Sequence, residues 1–346
     1  MQQEIRLATF NVCNLAPAGA KLYDNLSPLT AGEYEAKANW TARQIDLLDA
    51  DLIGFQEIFS QASLRDVLAR TERYRDALQV GFDPDPAAER LTPSVALVSR
   101  LPLAGPVATY PAFPPGVTMP AGGRGRESDR FARAPLHVQL ALPGGAIVDV
   151  VVVHLKSRRP DYRNGDGGAD PLLFAMANLR SLIWRGTEAV ALRVLLSELG
   201  RASGRPRVVL GDFNDVADAV TTSIVTGAGA SGEPGQELAD RLFDSCRIQR
   251  LPECERAAGA TIWHDGHGMT IDHILVSEEF NPASSRAIGE VLEVRYLNEH
   301  VRAAPPEASD HGQVLARIGL YDAGRLAAAA ARQGGQQNIE PAAGQG

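Results

Sequence analysis

The sequence predicts an α+β chain in which strands and helices interleave, and three observations lead there. Short β-branched runs such as AIVDVVVVH alternate with amphipathic stretches of helical period. The string VVLGDFNDV at 208–216 carries an apolar run straight into Asp212 and Asn214, where a strand ends and polar chemistry begins. That arrangement recurs along the chain. IRLATFN ends at Asn11, DLIGFQE at Glu57, and VDVVVVHLKS delivers His154 and Lys156; Asp272 in MTIDHILVS, and Asp310 with His311 in SDHGQVLARI, stand just before apolar runs. A single such string is explained by turn chemistry, since Asp, Asn and Gly commonly follow a strand. Six strand ends bearing Asn, Glu, His and Asp are not.

In chain order, Thr30 followed by Glu33 forms a capping box that opens an amphipathic helix to about residue 49, with Tyr34, Ala38, Ile45 and Leu48 inward. A strand from Asp51 runs to Glu57. SLRDVLAR reads as a short helix, and SVALVSR from 94 as a strand closed by Pro102. Residues 102–135, rich in Pro, Gly and Arg, read as a surface excursion of the kind that carries binding residues. RFARAPLHVQLAL and AIVDVVVVH, joined by PGG, form a hairpin pattern. The following RRPDYRNGDGGADP lacks the ligand pattern of a calcium loop and reads as a mobile lid. A helix over about 171–199 comes next, with Arg180 and Arg193 toward solvent or Glu188, and then the GDFN strand. Side chains two apart on an extended segment share a face, so Asp212 with Asn214, and His154 with Lys156, are expected to point together. TGAGASGEPGQ at 226–236 is a flexible insertion, and His264, Asp265 and His267 in WHDGHG form a hairpin loop rather than a zinc site. The chain divides into a catalytic domain over 1–321 and a low-complexity tail over 322–346.

Composition agrees with one globular body, because 45% hydrophobic and 22% charged residues are ordinary for a folded chain and argue against global disorder. The formal net charge of −8 removes any general attraction to polyanions, so a nucleic-acid or phospholipid contact must depend on local patches. No apolar run is long enough to span a bilayer, no signal peptide is visible, and no helix offers a convincing apolar or basic face to a membrane. The expected location is cytoplasmic and the expected state monomeric. Cys13, Cys246 and Cys254 are odd in number and have no metal-ligand spacing, so idle thiols are expected.

In order and type, GDFN with a terminal SDH, preceded by QE and a strand-ending HLKS, resembles the endonuclease/exonuclease/phosphatase superfamily over roughly residues 5–320. The resemblance implies a DNase I-like four-layer sandwich, two packed mixed sheets flanked by helices. It also implies a Mg²⁺- or Mn²⁺-dependent hydrolase of phosphoric esters. Carboxylate and amide oxygens suit such hard cations, and Glu57, assisted by Asn11 and Asp310, is the expected ligand set. Asp212 would orient or deprotonate the attacking water, and Asn214 would donate to a phosphoryl oxygen or touch metal. Asp272 would hold the imidazole of His311, which acts as a general base or a cationic clamp. His154 would serve the leaving-group side or bind phosphate, with Glu89 a partner candidate by position alone. Arg133 and Lys156 would contact phosphate, and Arg124, Arg126, Arg130, Arg158 and Arg159 could complete a basic rim.

A nuclease acting on DNA or RNA is the first expectation for the substrate. A phosphoesterase for a phospholipid head group, an inositol phosphate or another small ester is the second, and it suits the acidic net charge. A catalytically silent scaffold is disfavoured, because every expected catalytic position holds a competent residue.

Overall fold

The computed structural model describes residues 3–85, 88–120, 129–162, 170–227, 240–253, 259–264 and 266–322. Two six-stranded sheets pack face to face. Counting strands in chain order, the first sheet contains β1 (Gln3–Leu15), β2 (Leu52–Ile58), β3 (Leu78–Gly81), β4 (Ser94–Ser99), β13 (Gly289–Leu297) and β14 (Gln313–Leu320), in the order β13-β14-β1-β2-β4-β3. The second contains β5 (Ala108–Thr109), β6 (Leu136–Ala141), β7 (Ile147–His154), β8 (Arg207–Asp212), β9 (Leu242–Asp244) and β12 (Asp272–Ser277), in the order β5-β6-β7-β8-β12-β9. Both sheets are mixed: β1 runs parallel to β2 and β7 parallel to β8, while the other pairings are antiparallel. Helices α1 (Ala31–Leu48) and α2 (Gln61–Ala69) cover the outer face of the first sheet, and α3 (Pro171–Ser203) that of the second. The result is the expected four-layer sandwich.

Strand alternation builds the layers. Along β1, Ile5 and Leu7 enter the core between the sheets, whereas Ala8, Phe10 and Val12 face α1. Along β7, Val148, Val150 and Val152 face the first sheet, and Val151 and Val153 face α3. Gly54 stands where β2 comes closest to the second sheet; a Cβ there would overlap Leu210 and crowd Val152.

The predicted capping box is present, with Thr30 and Glu33 bonding each other's backbone, and Ala38, Ile45 and Leu48 are buried on α1 while Tyr34 packs at the margin. The 136–154 hairpin and the WHDGHG hairpin, β10 (Ile262–His264) with β11 (His267–Met269), also form. Helix α3 extends four residues past the expected 199, from the Asp170 cap to Gly204 in the left-handed conformation. Two expectations about it change. Arg180 donates to the Asp161 carbonyl and Arg193 pairs with Asp240, so neither partners Glu188. The helix also exposes a long apolar face, where the sequence suggested no such surface, because apolar residues stand on every side of it and only packing decides which side is covered. No helix among the described residues is long and apolar enough to cross a membrane. Cys254, Arg124, Arg126, Asp265, most of the 226–236 insertion, much of the loop after Arg158 and the tail from 323 lie outside the described residues.

Candidate active site

The site forms because both sheets end their chemistry-bearing strands at one edge of the sandwich. In the second sheet β7 and β8 are parallel and β12 runs antiparallel to β8, so the last residue of two strands and the first of the third come into register. His154 pairs with Asp212, and Asp212 pairs with Asp272. In the first sheet, β1 and β2 place Asn11 beside Gln56, next to Glu57, and β14 begins just after Asp310 and His311. Packing the sheets then closes the site from both sides.

The Asp212 carboxylate is its centre. One oxygen, Oδ1, accepts the Asn214 backbone N–H at 2.7 Å. The other accepts from Asn11 Nδ2 at 3.1 Å, with His154 Nε2 at 3.4 Å and His311 Nε2 at 3.9 Å. Asn11 joins the two halves, since the same Nδ2 stands 3.5 Å from Glu57 Oε1. Glu57 Oε2 accepts the Asn14 N–H at 2.9 Å, and Ser309 bonds the Asn11 carbonyl at 2.6 Å, tying the SDH segment to β1. His311 Nδ1 lies 2.8 Å from Asp272 Oδ2.

Burial and crowding of like charge set the protonation states. Burial and the adjacent Asp272 push the Asp212 carboxyl up to about 7. Burial opposes charge on His311, but Asp272 at hydrogen-bond distance and Asp212 beyond it override that and hold the imidazole well above its ordinary range. His154 goes the other way: burial, then Arg133 and His311, keep it neutral, well below its ordinary value. A neutral and a cationic histidine thus flank one carboxylate.

The backbone is also unusual here. Cys13, Asn14, Glu57 and Asn214 all hold positive φ, between 53° and 61°, where side-chain-bearing residues are uncommon. Such strain persists only when its surroundings enforce it, and it collects at functional sites.

The structure brings Asn11, Glu57, His154, Asp212, Asp272 and His311 together. Three expectations change in detail. Asn214 does not share the Asp212 face by strand alternation, because the chain leaves the extended conformation after Asp212; its backbone N–H returns to Asp212 and its Nδ2 donates to the Leu155 carbonyl at 2.9 Å. Lys156 likewise lies beyond the end of β7, and its ammonium faces the Ser157 carbonyl at 3.0 Å and the Arg159 carbonyl at 3.4 Å. Burial and the nearby Arg133 push it down to about 8. His154 Nδ1 makes no hydrogen bond among the described residues, so Glu89, exposed in its own segment, does not partner it. Asp310 is exposed; it and Glu57 oppose ionisation of the half-buried Cys13 thiol, which burial drives far up, and they only partly offset the burial that pulls the Lys37 amine below its ordinary value. Arg133 reaches the Leu155 carbonyl at 3.4 Å and acts on His154. Arg158 of the expected rim is bound to Asp215 at 3.0 Å.

Glu188 is the functional neighbour that sequence reasoning misassigned. Fully buried, it accepts the Ala132 N–H at 2.7 Å and the Lys156 N–H at 2.6 Å, fastening the segments that carry Arg133 and Lys156. The signal was its place on the same helical face as Leu192 and Leu195, which marks an acid on a buried stripe. Asp215, three residues after Asp212 in GDFND, is the other: Arg158, the buried Arg185 and Thr221 all bond its carboxylate.

A divalent cation suits this donor set. The acids and amides supply hard oxygens, and two buried oxygens, Asp272 Oδ1 and Asn14 Oδ1, have no hydrogen-bond partner among the described residues. Asp212, Asp272 and His311 present ligand atoms within 4.8 Å of one another.

Comparison with known proteins agrees with this fold. The fold matches an endonuclease/exonuclease/phosphatase from Bacteroides vulgatus at 17% identity, covering 92% of this chain and 100% of that one with a TM-score of 0.55. It matches the human Nocturnin catalytic domain with bound sulfate anion at 14% identity, over 92% and 98%, TM-score 0.57. It also matches a mannosyl-6-phosphatase from Bacteroides thetaiotaomicron at 17% identity, over 91% and 99%, TM-score 0.55. Among curated protein sequences none matches. The sequence itself matches the Endonuclease/Exonuclease/phosphatase family over residues 8–311, a span that encloses every residue of the cluster from Asn11 to His311, and the chain belongs to that family.

Proposed function

We propose that this chain is a divalent-cation-dependent hydrolase of phosphodiester bonds, acting by attack of an activated water, with a DNA or RNA strand as substrate. The observation that carries the reaction is the buried Asp212 carboxylate, set between a neutral His154 and a cationic His311. Asp212 takes the proton of the attacking water, and a carboxyl raised to about 7 is matched to that task at neutral pH. His311, held by Asp272, is a fixed cation for the phosphoryl oxygens, whose charge grows in the transition state. His154 stands on the other side of Asp212 and serves the departing oxygen. Asn214 shapes the turn behind Asp212, and its side-chain amide, which donates to the Leu155 carbonyl, would direct its second hydrogen to a phosphoryl oxygen. Arg133 and Lys156 contribute charge on the His154 side. Glu57, Asn11 and Asp310 would hold Mg²⁺ or Mn²⁺, which when bound neutralises charge on the phosphoryl group.

A second substrate reading, a small phosphate ester, is favoured by one observation. Arg158 is bound to Asp215 and the Lys156 ammonium faces loop carbonyls, which leaves less of a cationic track for a long polyanion on a chain of net charge −8.

The test is turnover of plasmid DNA, single-stranded DNA, RNA, phospholipid, inositol phosphate and a bis-nitrophenyl phosphate, with Mg²⁺, Mn²⁺ or EDTA. Cation-dependent cleavage of a diester is expected, reduced by about two to four orders of magnitude in Asp212→Ala and in His311→Ala, the cost of losing a general acid or base. Near-normal turnover in both variants would refute these roles. Cleavage confined to small esters would select the second reading.

A further inference from the structure

Helix α3 carries an apolar face that the described residues leave uncovered. Of the fourteen large hydrophobic side chains exposed among the described residues, eight lie on this one helix, between Leu172 and Val190. They are not scattered. Leu172, Met176, Leu179, Ile183 and Val190, with Gly186 between the last two, advance in alternating steps of four and three, the spacing of a coiled-coil seam. A Cβ at Gly186 would meet nothing within 4 Å, so the seam stays open there as well. The buried positions Ala177, Ser181, Arg185, Glu188 and Leu192 form a second stripe on the opposite side, toward the body of the protein. One side of α3 is therefore occupied, and the other, about 27 Å long at 1.5 Å per residue, is not covered by any described residue.

Charge and area indicate what fits there. No Asp, Glu, Lys or Arg occurs from Pro171 to Leu179; Arg180 is turned to the Asp161 carbonyl, and Arg185 is buried against Asp215. The seam can therefore meet a copy of itself without opposing like charges. An anionic membrane fits less well, because the chain is itself acidic and the nearby Arg158 is engaged by Asp215. A fully buried aliphatic side chain removes about 60–120 Å² from water, so the five on the seam, each roughly half exposed, offer on the order of 200 Å² of apolar area. A standard interface buries about 800 Å² per partner, a little over half of it apolar. The seam supplies a little under half of that apolar share, and the flanking Leu173 and Leu182 add to it at the edge.

We propose that this face is the contact surface of a homodimer, in which two copies pair α3 antiparallel about a two-fold axis near the middle of the seam. Leu179 of one copy then meets Ile183 of the other. The antiparallel sense places the two bodies, each attached along the C-terminal half of its helix, at opposite ends of the contact. The pairing also bears on the candidate site. From its inner side the same stretch of α3 bonds the segment after His154, through Ser181 to the Ser157 carbonyl at 2.7 Å and Arg180 to the Asp161 carbonyl at 2.9 Å. A second copy on the outer side braces that support.

Sedimentation velocity of the full chain over a nanomolar to high-micromolar range tests the proposal. The wild type is expected to approach twice 36.9 kDa as concentration rises, and Leu179→Glu/Ile183→Glu to remain at 36.9 kDa. Both side chains are exposed, so the far-ultraviolet circular dichroism of the variant should match the wild type. With Leu179→Cys/Ile183→Cys, mild oxidation should give a covalent dimer, while Leu47→Cys, exposed on α1, should not. A wild type of single-chain mass throughout, or a variant that still dimerises, overturns the proposal. So does a single-chain wild type that pellets with phosphatidylcholine or phosphatidylserine vesicles while the glutamate variant does not, which would make the face a lipid contact.

Discussion

Asp212 carries a sharp electrostatic conflict, being buried, next to Asp272, and raised to about 7. A carboxyl whose folded pKa exceeds its unfolded value binds more protons in the folded state, so its contribution favours folding at low pH and is lost as pH rises from the ordinary carboxyl range through about 7. His311 works in the same direction at higher pH: its raised pKa contributes stability below the ordinary histidine value, which is lost as pH rises through the folded value. In EDTA the melting temperature should therefore fall from pH 5 to pH 8. Asp212→Asn should flatten the lower part of that fall, because the buried group can no longer ionise. Calorimetry of both proteins checks this, and an equally steep fall in the variant would mean the conflict lies elsewhere. Positive φ at Cys13, Asn14, Glu57 and Asn214 tells the same story in the backbone, with conformational ease given up where side chains must converge.

Among the elements, α3 has a double role. Its inner stripe holds the site wall through Glu188, whose two carboxylate oxygens each accept a backbone N–H from a different segment. Glu188→Leu keeps the volume but leaves the Ala132 and Lys156 N–H groups unpaired. Each buried orphan costs about 1–3 kcal/mol, so a loss of roughly 2–6 kcal/mol, partly offset by no longer burying a carboxylate, should appear as a lower urea midpoint. Turnover should fall as well, because both segments flank His154. Substitution of the exposed Val190 on the other stripe by Ala should leave the urea midpoint of the single chain within about 0.5 kcal/mol of the wild type.

For the whole molecule the decisive fact is that two sheets of different connectivity end at one edge and lie close enough for Asn11 to reach both Glu57 and Asp212. Gly54 permits that approach. Gly54→Val would drive a side chain into Leu210 and Val152, and overpacking of this kind costs about 1–3 kcal/mol, here compounded by displacement of the sheet that carries Glu57. The expected result is a lower melting temperature together with weaker cation dependence of turnover; a stable, fully active Gly54→Val protein would show that the sheet spacing is not critical.

The sequence by itself determined the strands and helices and which of their ends carry chemistry, because period-2 and period-3.6 patterning, caps and turn residues act within a few positions along the chain. It also marked Asn11, Glu57, His154, Asp212, Asp272 and His311 as a set, since a polar residue at the end of an apolar strand is a local feature. Only the tertiary structure decided what those residues do to one another. The register of β7, β8 and β12 puts His154, Asp212 and Asp272 side by side, and burial then makes one histidine neutral and the other cationic. It decided equally that Lys156 and Asn214 turn aside, that Glu188 faces inward and that one face of α3 is left bare by the described residues. Local patterning fixes direction along the backbone, whereas desolvation, hydrogen-bond partners and exposure depend on what other parts of the chain bring alongside.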